Sequence, residues 1–318
     1  MKKQNFIVTL LFVCIFSACS NDDDIITEPE KKTTLITKLE RLIDDQKVPF
    51  STFAYDNNNQ LTEIVYKEYD TDSKNFYKTS TYKFTRNGKT ARVNLTDVYH
   101  NDNDRQETDT YDFKYDDNGN VIEWVVYALD GITKEEIYTI TWNNGNLTKL
   151  TKLWVEENEN ETYDVIYDAN GNIQPVTVES FHQGIPSYTT YKSVYTFSVN
   201  TSKNVNFFSL LPQECILLTI EAEYLILSRN RNEVITYTID SQSKTYTSSD
   251  KTTVEREFTS KETFAYAFKY DSNGLPTEVI ESSTEFVKHI DHVYPENNWE
   301  HTYGPSLQDA IYPIFIQK

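Results

Sequence analysis

Cysteine, glycine and proline are scarce in this chain, and basic residues are outnumbered. Of the three cysteines, Cys14 and Cys19 lie in an N-terminal leader. That leaves Cys215 alone in the remaining chain and excludes an internal disulfide there. A lone thiol within the apolar run 207–227 reads as a small buried hydrophobe rather than a nucleophile. Eight glycines and nine prolines stand against 23 tyrosines and 17 phenylalanines. This mix favours strands, because flat side chains pack well on a pleated surface. Thirty Lys and Arg face 49 Asp and Glu, a formal net charge of −19. Nucleic acid and anionic lipid headgroups would repel such a chain, so neither is expected as a partner. The same charge also keeps a protein in solution.

The leader itself lacks the length to span a bilayer. Lys2 and Lys3 precede the apolar stretch Phe6–Phe16, then Ser17, Ala18 and Cys19. A spanning helix needs about 20 apolar residues, so this run reads as the core of a signal peptide. Small residues before a cysteine resemble a bacterial lipoprotein processing site, in which Cys19 becomes the acylated first residue. Phe16 departs from the aliphatic residue usual at that place, and the alternative is an ordinary secretory signal with an incidental cysteine. Ser20, Asn21, Asp22, Asp23 and Asp24 follow. This acidic cluster resembles the surface-export signal of lipoproteins in Bacteroidota-type bacteria, and serves equally as a solvated tether. The expected division is therefore a signal over 1–18, an acidic tether over 19–32 and one domain over 33–318. Several acyl chains, palmitate among them, would hold the outer membrane stably where a single chain would not.

One pattern dominates the remainder. "FKYDDNGNVIEW" (113–124) has near-copies at 53–64, 165–176 and 268–279. The residues before the turns are Tyr55, Arg86, Tyr115, Trp142, Tyr167, Val199 and Tyr270. All but the last pair are separated by 25–32 residues. Upstream of each turn apolar residues alternate, as in Tyr111, Phe113, Tyr115 and in Tyr138, Ile140, Trp142, with polar neighbours such as Lys114 and Thr139. A period of two is a strand with one greasy face. Asn87-Gly88, Asn118-Gly119, Asn144-Gly145, Asn170-Gly171 and Asn273-Gly274 accept the positive φ of tight hairpins. Asp116, Asp168 and Asp271 stand where a short carboxylate takes backbone N–H groups of the turn. Calcium is the competing use of such turns, but the glycine placement and terminal glutamate of an EF-hand loop are missing. Seven hairpin copies predict an all-β, antiparallel meander of roughly 14 strands, two per copy. An open sheet of that size must curl or close into a barrel-like form to protect its edges.

The Tyr-Asp-x-x-Gly-Asn-apolar pattern resembles the YD repeats of Rhs-type and teneurin proteins, which have a shorter and steadier period. It is also similar to a family of Bacteroidota lipoproteins of unknown function. For residues 33 to about 295 that second resemblance implies a porin-like fold, a lipoprotein signal and an apolar insertion, and it implies no activity.

The insertion falls in the longest interval. Phe207, Leu211, Cys215, Leu218, Ala222 and Leu225 are at helical spacing, with Asn206 placed to cap and Pro212 in the early turns. One or two short helices are expected over about 205–228, covering an end of the sheet or filling its interior. A buried strand pair is the alternative.

Chemistry-bearing clusters are thin, and neither a cofactor nor a metal site is expected. In "HIDHV", His289 and Asp291 share one strand face and His292 takes the other, with His301 approaching from further along. Phosphate loops, nucleophile elbows and zinc-protease helices are missing, so no catalytic residue is assigned. The expected function is a surface-anchored module binding a glycan or an extracellular protein, with Trp124, Trp154 and Trp299 as candidate stacking residues. The alternatives are a structural envelope protein, an outer-membrane pore and a glycan-active enzyme.

Overall fold

The computed structural model describes residues 34–43, 46–70, 75–183, 187–203, 206, 209, 211–219, 222–247, 253–270, 276–303 and 309–317. Cys19, Ser20, Asn21, Asp22, Asp23, Asp24 and Asp271 lie outside these.

The first ten strands are β1 (Thr34–Ile43), β2 (Gln46–Tyr55), β3 (Leu61–Asp70), β4 (Asn75–Asn87), β5 (Thr90–Tyr99), β6 (Arg105–Tyr115), β7 (Val121–Tyr127), β8 (Lys134–Asn143), β9 (Asn146–Trp154) and β10 (Glu159–Asp164). Each pairs antiparallel with the next. A second antiparallel run of six follows: β11 (Val176–Gln183), β12 (Tyr188–Asn200), β13 (Glu233–Tyr246), β14 (Val254–Tyr270), β15 (Pro276–Asp291) and β16 (Trp299–Tyr303). The last strand, β17 (Asp309–Gln317), joins the two. It pairs with β1 from Thr34↔Gln317 to Arg41↔Ile311 and with β15 from Val279↔Ile311 to Glu281↔Asp309.

The repeated turns form as their chemistry dictates. In three copies a type I turn closes on a residue in the left-handed region. Gly119 N–H donates to Asp116 O (3.2 Å) and Asp116 N–H to Asn120 O (2.9 Å), with the same pair of bonds at Asp56 and Asp168. Asp116 Oδ1 accepts from the N–H groups of Asn118 (2.9 Å) and Asn120 (2.8 Å). The left-handed position is Gly119 at φ +81° in one copy and Asn59 at φ +62° in another, the two residue types that tolerate it best.

The strand count is corrected and the form of the sheet narrowed. Among the described residues the fold has 17 strands rather than roughly 14. The seven copies do supply β2 to β15, while β1, β16 and β17 carry no turn motif and left no repeat to count. Of the two forms expected, curled or closed, a closed barrel is not found: among the described residues no backbone ladder pairs β10 with β11, so the antiparallel runs of ten and six strands, joined through β17, meet there as two unladdered edges. The fifth copy, after Tyr167, is therefore not a hairpin, and only the Tyr167↔Ile173 bridge remains of it. Around this turn Arg231 N–H donates to Gly171 O, and Ile173 N–H donates to Asn230 Oδ1, which ties it to the residues just before β13.

The aromatic phase of the strands faces inward. One apolar cluster runs from Ile36 and Phe53 through Phe113, Trp124 and Tyr138 to Tyr237, Phe264 and Val279. The outer face carries cross-strand ion pairs, including Lys114–Glu123 (2.7 Å), Arg92–Asp112 (2.8 Å) and Lys192–Glu179 (2.7 Å). A strand wall facing lipid needs an apolar outer band, and a Lys or Arg there costs about 2–4 kcal/mol at mid-bilayer. This sheet has the opposite polarity.

Candidate functional site

The inner face is divided along its length. The half nearest the Asp-Asn-Gly turns is apolar and is filled by the insertion, helices α1 (Gln213–Thr219) and α2 (Ala222–Leu227). The insertion lies within the β12–β13 hairpin, whose arms still pair beyond it at Asn200↔Glu233. Cys215, Ile216, Leu217, Leu225 and Leu227 are buried against the sheet. Polar contacts fix the plug at its rim. The Glu214 carboxylate accepts from Arg86 (2.7 Å) and from the Tyr115 hydroxyl (2.9 Å), and Gln213 Oε1 accepts Val121 N–H (2.8 Å). Asn206 Nδ2 donates to Leu227 O (2.8 Å), and residues 207 and 208, whose start it was placed to cap, lie outside the described ones. Burial pushes the Cys215 thiol up to about 12, which fits a packing role. Burial pushes the Arg229 guanidinium down to about 10, and it lies 5.0 Å over the Trp142 ring.

Towards the other end the same inward phase turns polar, and register pairs make the change visible. Ile140, Leu150 and Tyr163 sit side by side across β8, β9 and β10; the next row is Tyr138, Lys152 and Glu161, and the next Glu136, Trp154 and Glu159. In the other sheet, buried Val178 begins a row that continues as Ser193, Ser241 and Ser260, and beyond it lies Ser180, Tyr191, Ser243 and Phe258. Where these rows meet, side chains do what the backbone does not. Ser180 Oγ bonds Glu161 Oε1 at 3.1 Å, and His182 Nδ1 lies 3.3 Å from Glu159 Oε2. A cleft of about 490 Å³ opens there, lined by Trp154, Glu159, Glu161, Ser180, Tyr191 and Phe258 among others.

Charge in this half is mostly negative and partly crowded. Lys152 is held by Glu136 (2.8 Å) and lies 4.6 Å over the Trp154 ring. Glu262 faces Glu285 across β14 and β15; burial, then the neighbouring carboxylate, raises its pKa above the ordinary glutamate value. Burial, then Asp97 and Glu107, does the same to Asp109.

The three candidate tryptophans go to three different places. Trp124 is a core residue, stacked on Phe113 (6.2 Å) and Tyr138 (4.3 Å). Trp154 stands at the cleft. Trp299 is 41% exposed on β16, flanked by Phe258, His289 and His301. The remaining histidines are dispersed, with His100 on Asp104 (2.9 Å) and His292 near Glu257 (3.4 Å). Among the described residues no three His, Cys, Asp or Glu side chains gather as metal ligands would. Sequence reasoning missed Glu159, Glu161, Ser180 and His182. Their one signal was position: each keeps the inward phase of its strand after the apolar residues have ended.

No protein-family model matches this chain, and no curated protein matches it. Among solved structures it is similar to a porin-like protein from Bacteroides uniformis, with a TM-score of 0.45 and 15% identity over 88% of this chain and 96% of the other. A porin-like protein from Bacteroides vulgatus matches with a TM-score of 0.32 and 9% identity, over 89% of this chain and 98% of the other.

Proposed function

We propose that this protein is a lipid-anchored, surface-exposed binding module whose ligand, a glycan or an extracellular protein, enters the polar end of the sheet. The observation that carries the reading is the inversion of the inner face, apolar and plugged at one end, polar and cleft at the other. A scaffold needing only a core would fill both ends with apolar side chains. Here half of the inward phase is given to Glu, Ser, Lys and His beside exposed aromatic rings, the mixture that small-molecule sites combine. The leader supports the anchored part: Cys19 is the acylation point, and Ser20, Asn21, Asp22, Asp23 and Asp24 form the export cluster. The ion-paired outer face favours an anchored domain over a membrane-spanning pore.

Three measurements test this together. Mass spectrometry of the mature N-terminus is expected to find acylated Cys19, and Cys19→Ala to release the protein from membranes. Replacing Asp22, Asp23 and Asp24 by Ala is expected to keep the lipid while reducing cleavage by protease added to intact cells. The chain from residue 33 is expected to fold without detergent. An unmodified N-terminus elsewhere, or folding that requires detergent and a band that shifts only on boiling, would overturn the reading.

A further inference from the structure

At the seam between β10 and β11 two strand edges lie side by side, with no ladder between them among the described residues. Ser180–Glu161 and His182–Glu159 span it through side chains. At about 490 Å³ the cleft on this seam falls within the ~300–1,000 Å³ usual for small-ligand sites. We infer that it is a sugar-binding site, selective for rings without acidic groups. The inference rests on the binding-module reading and adds the ligand's chemistry and place.

Three features of the lining lead there. Trp154, Tyr191 and Phe258 offer aromatic surface, and Tyr191 is 44% exposed. A pyranose presents its C–H groups on one face, which suits a flat ring whose own face is electron-rich. Around the rings stand carboxylates and hydroxyls. Each carboxylate oxygen accepts two hydrogen bonds, and a hydroxyl both donates and accepts, so the set matches the edge of a polyol. The bonds across the seam hold Glu159, Glu161 and Ser180 in place before any ligand arrives, which lowers the ordering cost of binding.

Charge then selects among sugars. Among the described residues no Lys or Arg lines the cleft, and the nearby Lys152 is engaged by Glu136 and stacked on Trp154. With Glu157, Glu159 and Glu161 on the wall and a net charge of −19, a uronic or sulfated sugar would meet repulsion, since Lys192 and Lys244 of the adjoining pocket are already paired with Glu179 and Glu257. An extended peptide is the other ligand that two open edges bring to mind. An added strand needs about 4.7–4.9 Å on each side, so it would have to break both side-chain bridges, whereas a sugar in the cleft leaves them intact.

The test uses the full chain, extracted from membranes in mild detergent and titrated by calorimetry. The probes are cellotriose, mannotriose and chitotriose, with trigalacturonate as the acidic comparison. At least one neutral trisaccharide is expected to bind with Kd below about 1 mM, and trigalacturonate at least tenfold more weakly. Trp154→Ala is expected to weaken binding tenfold or more, and Lys114→Ala, on the outer face, to leave it unchanged. Because Trp154→Ala removes packing as well, Tyr191→Ala and Glu161→Gln are measured beside it, each with a melting curve; both are expected to weaken binding at least fivefold while remaining folded. Silence with every neutral probe overturns the inference, as does equal binding of trigalacturonate or indifference to all three cleft substitutions. Capture of extended peptides with silent sugars overturns it too, while leaving the anchored module standing, since acylation and surface exposure are read separately.

Discussion

Arg86 on β4 and Glu214 on α1 meet at 2.7 Å, and the Tyr115 hydroxyl shares the same carboxylate oxygen at 2.9 Å. Three elements remote in sequence are thereby tied at the edge of the plug, with Glu214 only 8% exposed. Removing one partner strands the other in poorly hydrated surroundings, which is dearer than losing the pair together. Glu214→Ala is expected to destabilise by about 3 kcal/mol. The double variant with Arg86→Ala is expected to lose less than the sum of the single changes, by about 1 kcal/mol or more in a denaturant-based double-mutant cycle. Simple additivity would show that the ion pair does not hold the plug.

The turn at Asp116 yields a second prediction. At Gly119, with φ +81°, a Cβ would meet open space, so backbone strain alone opposes a larger residue. Gly119→Ala is expected to cost about 1 kcal/mol. Asp116→Ala also lowers the melting temperature, by a pH-dependent amount. The Asn120 side chain, with the N–H groups of Asn120 and Asn118, holds the Asp116 carboxyl below its ordinary pKa. Such a group stabilises the fold above the unfolded-state pKa, and the benefit disappears as pH falls through the folded-state value. Melting curves of wild type and Asp116→Ala should therefore converge in acid; a constant gap would contradict the carboxylate's role.

Glu262 behaves in the reverse sense. Its pKa is raised, first by burial and then by Glu285. The folded state keeps this proton to higher pH than the unfolded chain does, so stability is lost as pH rises through the glutamate range. Glu262→Gln is expected to raise the melting temperature at neutral pH and to leave it nearly unchanged in acid. Equal shifts at both pH values would refute the assignment.

Cys215 is the sole thiol of the chain from residue 33, and it is 1% exposed with its pKa pushed up to about 12. A thiol reagent such as DTNB is expected to leave the native protein unlabelled at pH 8 and to react at the rate of unfolding in denaturant. Rapid labelling of folded protein would place the thiol outside the core.

Much of this architecture is written locally. Tyr111, Phe113 and Tyr115 reveal a strand by alternation, and Asp116 to Gly119 reveal its turn, because each signal needs only neighbours in sequence. The pairing of β17 with β1 is different, since nothing in Thr34–Ile43 names its partner across the chain. The seam was equally hidden. Tyr167, Asp168 and Gly171 form the expected turn, yet the residues after it bond to Asn230 and Arg231, about sixty positions away. The candidate site was least legible. Glu159, Glu161 and Ser180 are polar, and a hydrophobic period records only where apolar residues point.

The ladder that starts at Thr34↔Gln317 gives the molecule a front and a back. Thr34 stands at the end carrying the Asp-Asn-Gly turns, because β1 runs away from it for ten residues to the hairpin with β2. The chain thus enters β1 at the plugged end. The mouth formed by Trp154, Glu159 and Tyr191 opens at the far end, about 30 Å away at ~3.3 Å per residue. A tether on that strand would therefore hold the domain like a cup by its base, with the rim toward the surrounding medium.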